Sequence, residues 1–172
     1  MVDVAKDARR RLVGATLDLV RERGVEGTSV ADVLARSGAA RGSLYQHFPD
    51  GKTGLVVAAV EVAGRHLAAL VDDATSTEQA VAALVDFWES ELHRHDGRLG
   101  CPVVAASVDA HPDVRAAAAR VLRRLHEGLS TLTGDPAEAG FVLSALEGAL
   151  VRCRVEGSAA PLHEVRSRLA ET

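Results

Sequence analysis

Between Thr28 and Lys52 the chain gathers a guanidinium (Arg41), a glycine (Gly42), a hydroxyl (Ser43), a phenol (Tyr45), a carboxamide (Gln46), an imidazole (His47) and an ammonium (Lys52). Displayed together, these small or hydrogen-bonding groups suit a groove of DNA. Arg41 and Gln46 can each make paired hydrogen bonds to base edges. Ser43, Tyr45, His47 and Lys52 can contact phosphates, and Gly42 lets the backbone come close. Thr28 and Ser29, at the head of the stretch, join the candidate DNA contacts. The plainer alternative is a helical hairpin whose polar face merely meets water.

Positioning these groups requires two short helices and a tight turn. Thr28 and Ser29 can each cap a helix start, and Asp32 adds negative charge to the first turn, where the helix dipole favours it. Val30, Val33 and Leu34 form one apolar stripe, and the helix stops at Ser37-Gly38, where glycine can turn left-handed. The second helix is too short to be stable alone, so it must be docked by Leu44 and Phe48, about one turn apart. Those anchors point inward, and Gly42, Ser43, Gln46 and His47 then fall on the opposite face, with Arg41 at the start and Tyr45 on the flank. Pro49-Asp50-Gly51 breaks the helix and opens another, whose amides and Lys52 lie where a phosphate could dock.

Arg-Gly-Ser-Leu-Tyr-Gln-His-Phe (41–48), preceded by Thr-Ser-Val-Ala-Asp-Val-Leu-Ala-Arg-Ser-Gly (28–38) and followed by Pro-Asp-Gly-Lys (49–52), closely resembles the DNA-binding segment of the tetracycline-repressor (TetR) family. The match is strong over Lys6 to Leu55 and weak beyond it. The Pro-Asp-Gly-Lys loop and Gly100-Cys101-Pro102-Val103 look like the LmrA/YxaF-like branch. The resemblance implies a dimeric, all-helical transcription factor, usually a repressor. It implies an N-terminal three-helix DNA-binding domain (1–50) and a C-terminal ligand-binding and dimerisation domain (51–172). Ala31 departs from the pattern, since many relatives carry an arginine or other polar residue there.

Charge is distributed as such a division requires. The whole chain carries −4. Residues 1–54 hold nine Lys/Arg and seven Asp/Glu, a balance of +2, leaving −6 for the rest. A mildly basic head can dock on phosphates while an acidic body is held away from them. Arg9, Arg10 and Arg11 are either a solvated face or a second contact with the DNA backbone. The apolar runs, such as Leu55 to Val60, fall short of the roughly 18 residues of a membrane span, and the first residues lack a secretory apolar region. The expectation is a cytoplasmic protein with no membrane partner.

No segment alternates with period two over strand lengths, so the chain is expected to be all-α, with about nine helices. After the DNA-reading segment come a long helix from about Asp50 to Val71 and another from about Glu78 to His95. A short helix over roughly Pro102 to Ala110 follows, then helices from about Asp113, Pro136 and Leu162. Small residues in the C-terminal helices permit close approach. The last two stripes, Val142, Leu146, Leu150 and Cys153, then Leu162, Val165 and Leu169, are best explained if a second copy covers part of them. A homodimer through a four-helix bundle follows, with two reading heads that require a pseudo-palindromic operator.

An effector cavity is expected on the remaining inner faces. Its candidate lining is Leu67, Leu84, Phe87 and Trp88, then Val104, Ser107, Val108 and Leu122, then His126, Phe141, Ala145 and Glu147. With five aromatic residues in the chain, two of them in the reading segment, an aliphatic or mixed pocket is favoured over an aromatic cage. By the family's pattern, a small-molecule effector beside the 102–110 helix shifts the 50–71 helix and changes the separation of the heads.

The competing classes are weaker. His93-Arg94-His95-Asp96 is the most catalytic-looking run, but positions two apart lie on different helix faces and cannot jointly chelate a metal. There is no glycine-rich phosphate loop and no nucleophile motif. No cofactor, metal or catalytic residue is assigned. Cys101 and Cys153 lack Cys-x-x-Cys spacing and read as small apolar residues, with a redox-sensing pair as the alternative. A helical protein-binding module using the same head also stays open.

Overall fold

Glycines and prolines punctuate the chain into helices. The computed structural model describes residues 2–170, and among these there are nine α-helices. In order they are α1 (Val2–Arg23), α2 (Val30–Ser37), α3 (Arg41–His47), α4 (Lys52–Asp72), α5 (Thr77–Arg94), α6 (Pro102–Ser107), α7 (Pro112–Thr133), α8 (Pro136–Glu156) and α9 (Ala160–Ala170). Caps set several of the boundaries. Ser76 accepts the Gln79 amide at the head of α5, and Asp135 accepts the Ala137 amide ahead of Pro136 in α8. Gly157, at φ 65°, closes α8 in the left-handed conformation.

The helices pack as two compact units. The first comprises residues up to Ala63 together with Pro102–Ala119. Leu12, Val13, Leu19, Val33, Leu44, Phe48, Leu55 and Ala59 form its core. The second comprises Gly64–Cys101 and Arg120–Thr172. It buries Leu84, Val85 and Trp88 of α5, Leu125 and Leu129 of α7, Val142, Leu146 and Leu150 of α8 and Leu162 of α9. These packing units do not follow a 1–50/51–172 division. The first half of α4 supplies Leu55, Ala58 and Ala59 to the N-terminal core, and α6 packs on α1.

Two expectations change here. The short helix ends at Ser107, three residues before Ala110, where the Ser107 hydroxyl turns back to the Val104 carbonyl at 2.8 Å. Asp109, buried, then accepts the His111 amide at 2.8 Å and starts a turn. Uninterrupted apolar runs such as Leu55 to Val60 also understate α4, whose 21 residues are long and apolar enough to cross a membrane by length and composition. Leu55, Val56, Ala59, Val60, Leu67 and Val71 of that helix are buried within the protein, which accounts for its apolar character.

Candidate nucleic-acid interface

The helix pair is built from local contacts. Ser29, extended at φ −104°, accepts the Asp32 amide at 3.1 Å, and the Asp32 carboxylate accepts the Ser29 amide at 3.3 Å. This reciprocal box satisfies two of the donors that a helix start otherwise leaves open. The Ser29 hydroxyl, which donates to the Asp32 carboxylate at 2.6 Å, and then the Ser29 amide hold the Asp32 carboxyl below its ordinary range. At the far end Gly38, φ 64°, returns its amide to the Leu34 carbonyl at 3.0 Å. Arg36 grips Glu22 of α1 through two parallel bonds of 2.8 and 2.9 Å, fixing α2 on its neighbour.

Packing, more than capping, holds α3. Ala40 at its start offers no side-chain acceptor. Leu44 is 0% exposed and Phe48 5% exposed, so both anchors are sunk into the core of the first unit. Arg9 lies over the Phe48 ring, 5.4 Å from its centre. Arg41, Gly42, Tyr45 and Gln46 are exposed, and Ser43 and His47 are half-buried. Among the described residues, the side chains of Arg41, Gln46 and Lys52 have no intramolecular hydrogen-bond or ion-pair partner. A Cβ built on Gly42 meets nothing within 4 Å. Gly51, at φ 59°, makes the turn into α4, and a Cβ there would stand 3.6 Å from the Tyr45 ring.

Some of the expected contacts take other positions. Thr28 is corrected: it is 1% exposed and its hydroxyl bonds the Gly24 carbonyl at 2.8 Å, so it closes the α1–α2 turn and has no surface for DNA. Only Ser29 caps α2. Arg10 and Arg11 both reach Asp7, at 2.9 and 3.1 Å, and Arg11 also bonds the Ser37 carbonyl at 3.3 Å. The arginine cluster is thus largely engaged within the protein. Lys52 is half-buried and lines an open groove with Glu26, Asp109 and His111.

In the second unit Leu67, Leu84, Trp88 and Glu147 line a small cavity of about 20 Å³. Leu125, Leu129, Leu143 and Leu146 complete it; of these, Leu146 was expected in the dimerisation stripe of α8. Phe87 sits against His66 and Trp88, with ring centres 4.8 and 4.9 Å apart. His126 is tied to the Pro136 carbonyl at 2.9 Å, and Leu122 is half-buried. Val104 and Ser107 are half-buried in the first unit. Two lining candidates are corrected. Val108, past the end of α6, is 82% exposed, and Phe141 is 60% exposed.

The dimerisation candidates divide in the same way. Val142, Leu146, Leu150, Cys153 and Leu162 are buried within the single chain, where α9 packs against α5 and α8, so they are core and not open interface. Val165 and Leu169 are half-buried, and with Phe141 and Ala145 they line an open groove along α8 and α9. Val151 and Val155 are exposed on α8. The apolar surface left uncovered is therefore a different face of α8 from the one the stripes suggested.

His93 and Arg94 are exposed at the end of α5, and Arg94 pairs with Glu91 at 2.9 Å. No group of three or more His, Cys, Asp and Glu placed to hold a metal occurs among the described residues. Neither cysteine is in a disulfide, both are buried, and burial pushes the Cys153 thiol up, away from a reactive thiolate.

Residues 12–59 match the model of bacterial regulatory proteins of the tetR family, and residues 77–168 match that of the LmrA/YxaF-like transcriptional regulator C-terminal domain. An uncharacterised HTH-type transcriptional regulator of Mycobacterium tuberculosis (strain H37Rv) is 37% identical over 94% of this chain and 91% of its own. LmrA of Bacillus subtilis, an HTH-type transcriptional regulator, is 41% identical over 31% of this chain and 29% of its own. Among solved structures, the regulatory protein TetR from Rhodobacter sphaeroides superposes with a TM-score of 0.78 at 27% identity, covering 94% of this chain and 96% of the other. The chain belongs to the TetR family of DNA-binding transcriptional regulators, in its LmrA/YxaF-like branch.

Proposed function

We propose that this regulator is a repressor, bound as a homodimer to a pseudo-palindromic operator through α3 and released by a small molecule that enters the cavity of the second unit. The observation that carries the reading is the two-sidedness of α3. Leu44 and Phe48 are buried, and Arg41, Gly42, Tyr45 and Gln46 are presented outward. Arg41 and Gln46 select bases, Ser43, Tyr45, His47 and Lys52 hold phosphates, and Ser29 contributes at the head of α2. Pairing through the exposed strip of Phe141, Val151 and Val155 would give two such helices related by a two-fold axis.

Coupling is supported by covalent continuity. Helix α4 supplies Leu55 to the core of the first unit and Leu67 to the cavity of the second. A ligand that enlarges the cavity must displace Leu67, and the displacement is carried along one helix. Release follows if the ligand binds the DNA-free arrangement more tightly.

A mobility-shift assay on the protein's own upstream DNA, repeated across a salt series, tests the reading. A discrete shifted band that weakens steeply with salt is expected. Binding that is indifferent to salt, or equal on unrelated DNA, refutes it.

A further inference from the structure

The cavity of the second unit contains one polar atom with nothing to bond. Its wall is apolar, formed by Leu67, Leu84, Trp88, Leu129 and Leu143. Glu147 enters it from α8. Its Oε1 accepts the Cys101 thiol at 3.4 Å, while its Oε2 is buried with no hydrogen-bond partner. Buried polar groups in folded proteins are nearly always bonded, so an orphaned carboxylate oxygen in an apolar chamber marks a place for a donor that arrives from outside. Burial pushes the Glu147 carboxyl up, and the Cys101 bond only partly opposes this.

The geometry points to Glu147 as the polar anchor that selects the effector, which is an apolar body carrying a single protonated amine. This rests on the reading of the cavity as the effector site. The ammonium donates to Oε2 and neutralises the carboxylate, and the body replaces the leucine contacts. The ammonium adds Coulomb attraction and charge neutralisation that an alcohol donating to the same carboxylate cannot supply, so an alcohol of the same shape binds more weakly. A carboxylate ligand would bring a second negative charge against the first and is rejected. The free volume of about 20 Å³ holds no more than a water, so the body enters only as the leucine side chains move apart.

Trp88 is the only tryptophan in the chain and lies in the cavity wall, so its fluorescence reports occupancy directly. The full-length protein is titrated near neutral pH with cyclohexylamine, cyclohexanol and cyclohexanecarboxylate, and operator release is followed in parallel. The amine is expected to bind at least about tenfold more tightly than the alcohol, with the carboxylate weakest. Glu147→Gln, close to isosteric, should abolish the preference while keeping alcohol binding. Equal binding of amine and alcohol, a preference for the carboxylate, or a preference that survives Glu147→Gln overturns the assignment. If the alcohol binds and releases DNA without any amine preference, the anchor fails and the cavity reading stands. If none of the three perturbs Trp88 or DNA binding, both fail.

Discussion

Replacing Gly42 with alanine separates what α3 needs in order to fold from what it needs in order to meet DNA. A Cβ at this position meets nothing within 4 Å, so the protein itself offers no steric objection. Alanine exceeds glycine in helix propensity by about 0.8–1.0 kcal/mol in a helix interior. Gly42 is the second residue of α3, so roughly half of that gain is expected, raising Tm by about 1–2 °C for a chain of this size. On DNA the sign reverses. If Gly42 lets the backbone of α3 approach phosphates, the added methyl overpacks the contact, at a cost of about 1–3 kcal/mol. That corresponds to an operator affinity weakened about fivefold to 150-fold. Thermal unfolding followed by circular dichroism gives the first quantity, and fluorescence anisotropy on labelled operator gives the second. Gly42→Ala with unchanged or improved DNA affinity would show that DNA does not approach this face. A fall in Tm would show that the space around Gly42 is not open.

Further substitutions test the supports. Leu44→Ala, at a fully buried position, should lower unfolding free energy by about 2–5 kcal/mol in urea titration and abolish operator binding. Ser29→Ala removes the box at the head of α2 and should cost about 1 kcal/mol. Because the Asp32 carboxyl titrates below its ordinary value, its contribution is full above the unfolded-state pKa and is lost as pH falls through the lower folded value. The Ser29→Ala deficit should accordingly shrink in acid denaturation. Glu147 has the opposite sign. Its raised pKa means that stability declines as pH rises from the unfolded value through the folded one. Glu147→Gln should therefore exceed the parent in stability at neutral pH, with the gap closing in acid. At Gly64 a side chain would collide with Val121, so Gly64→Ala should destabilise the chain by about 1–3 kcal/mol in urea titration.

The legible parts of the sequence were those governed by near neighbours. Ser29, Asp32 and Gly38 determine α2 by contacts within a few residues, and the spacing of Leu44 and Phe48 assigned the faces of α3 before any tertiary information. Thr28 and Ser29 were indistinguishable as caps, because the choice depends on whether a hydroxyl reaches the Gly24 carbonyl behind it. The cavity and the uncovered surface of α8 were not legible for a different reason. Val142, Leu143, Leu146, Leu150, Val151 and Val155 leave no polar face wide enough to identify the solvent side, and only the docking of α9 and α5 decides which are core. The orphaned oxygen of Glu147 depends on which single partner arrives, which no spacing encodes.

Footprinting on the protein's own upstream DNA, for the parent protein and for Arg41→Ala and Gln46→Ala, tests the DNA-reading assignment of α3 most directly. A protected region made of two inverted half-sites is expected, one helical turn or a small multiple apart, with protection that fades or changes sequence preference in both variants. Protection without two-fold symmetry, or a footprint that is identical in all three proteins, would contradict it.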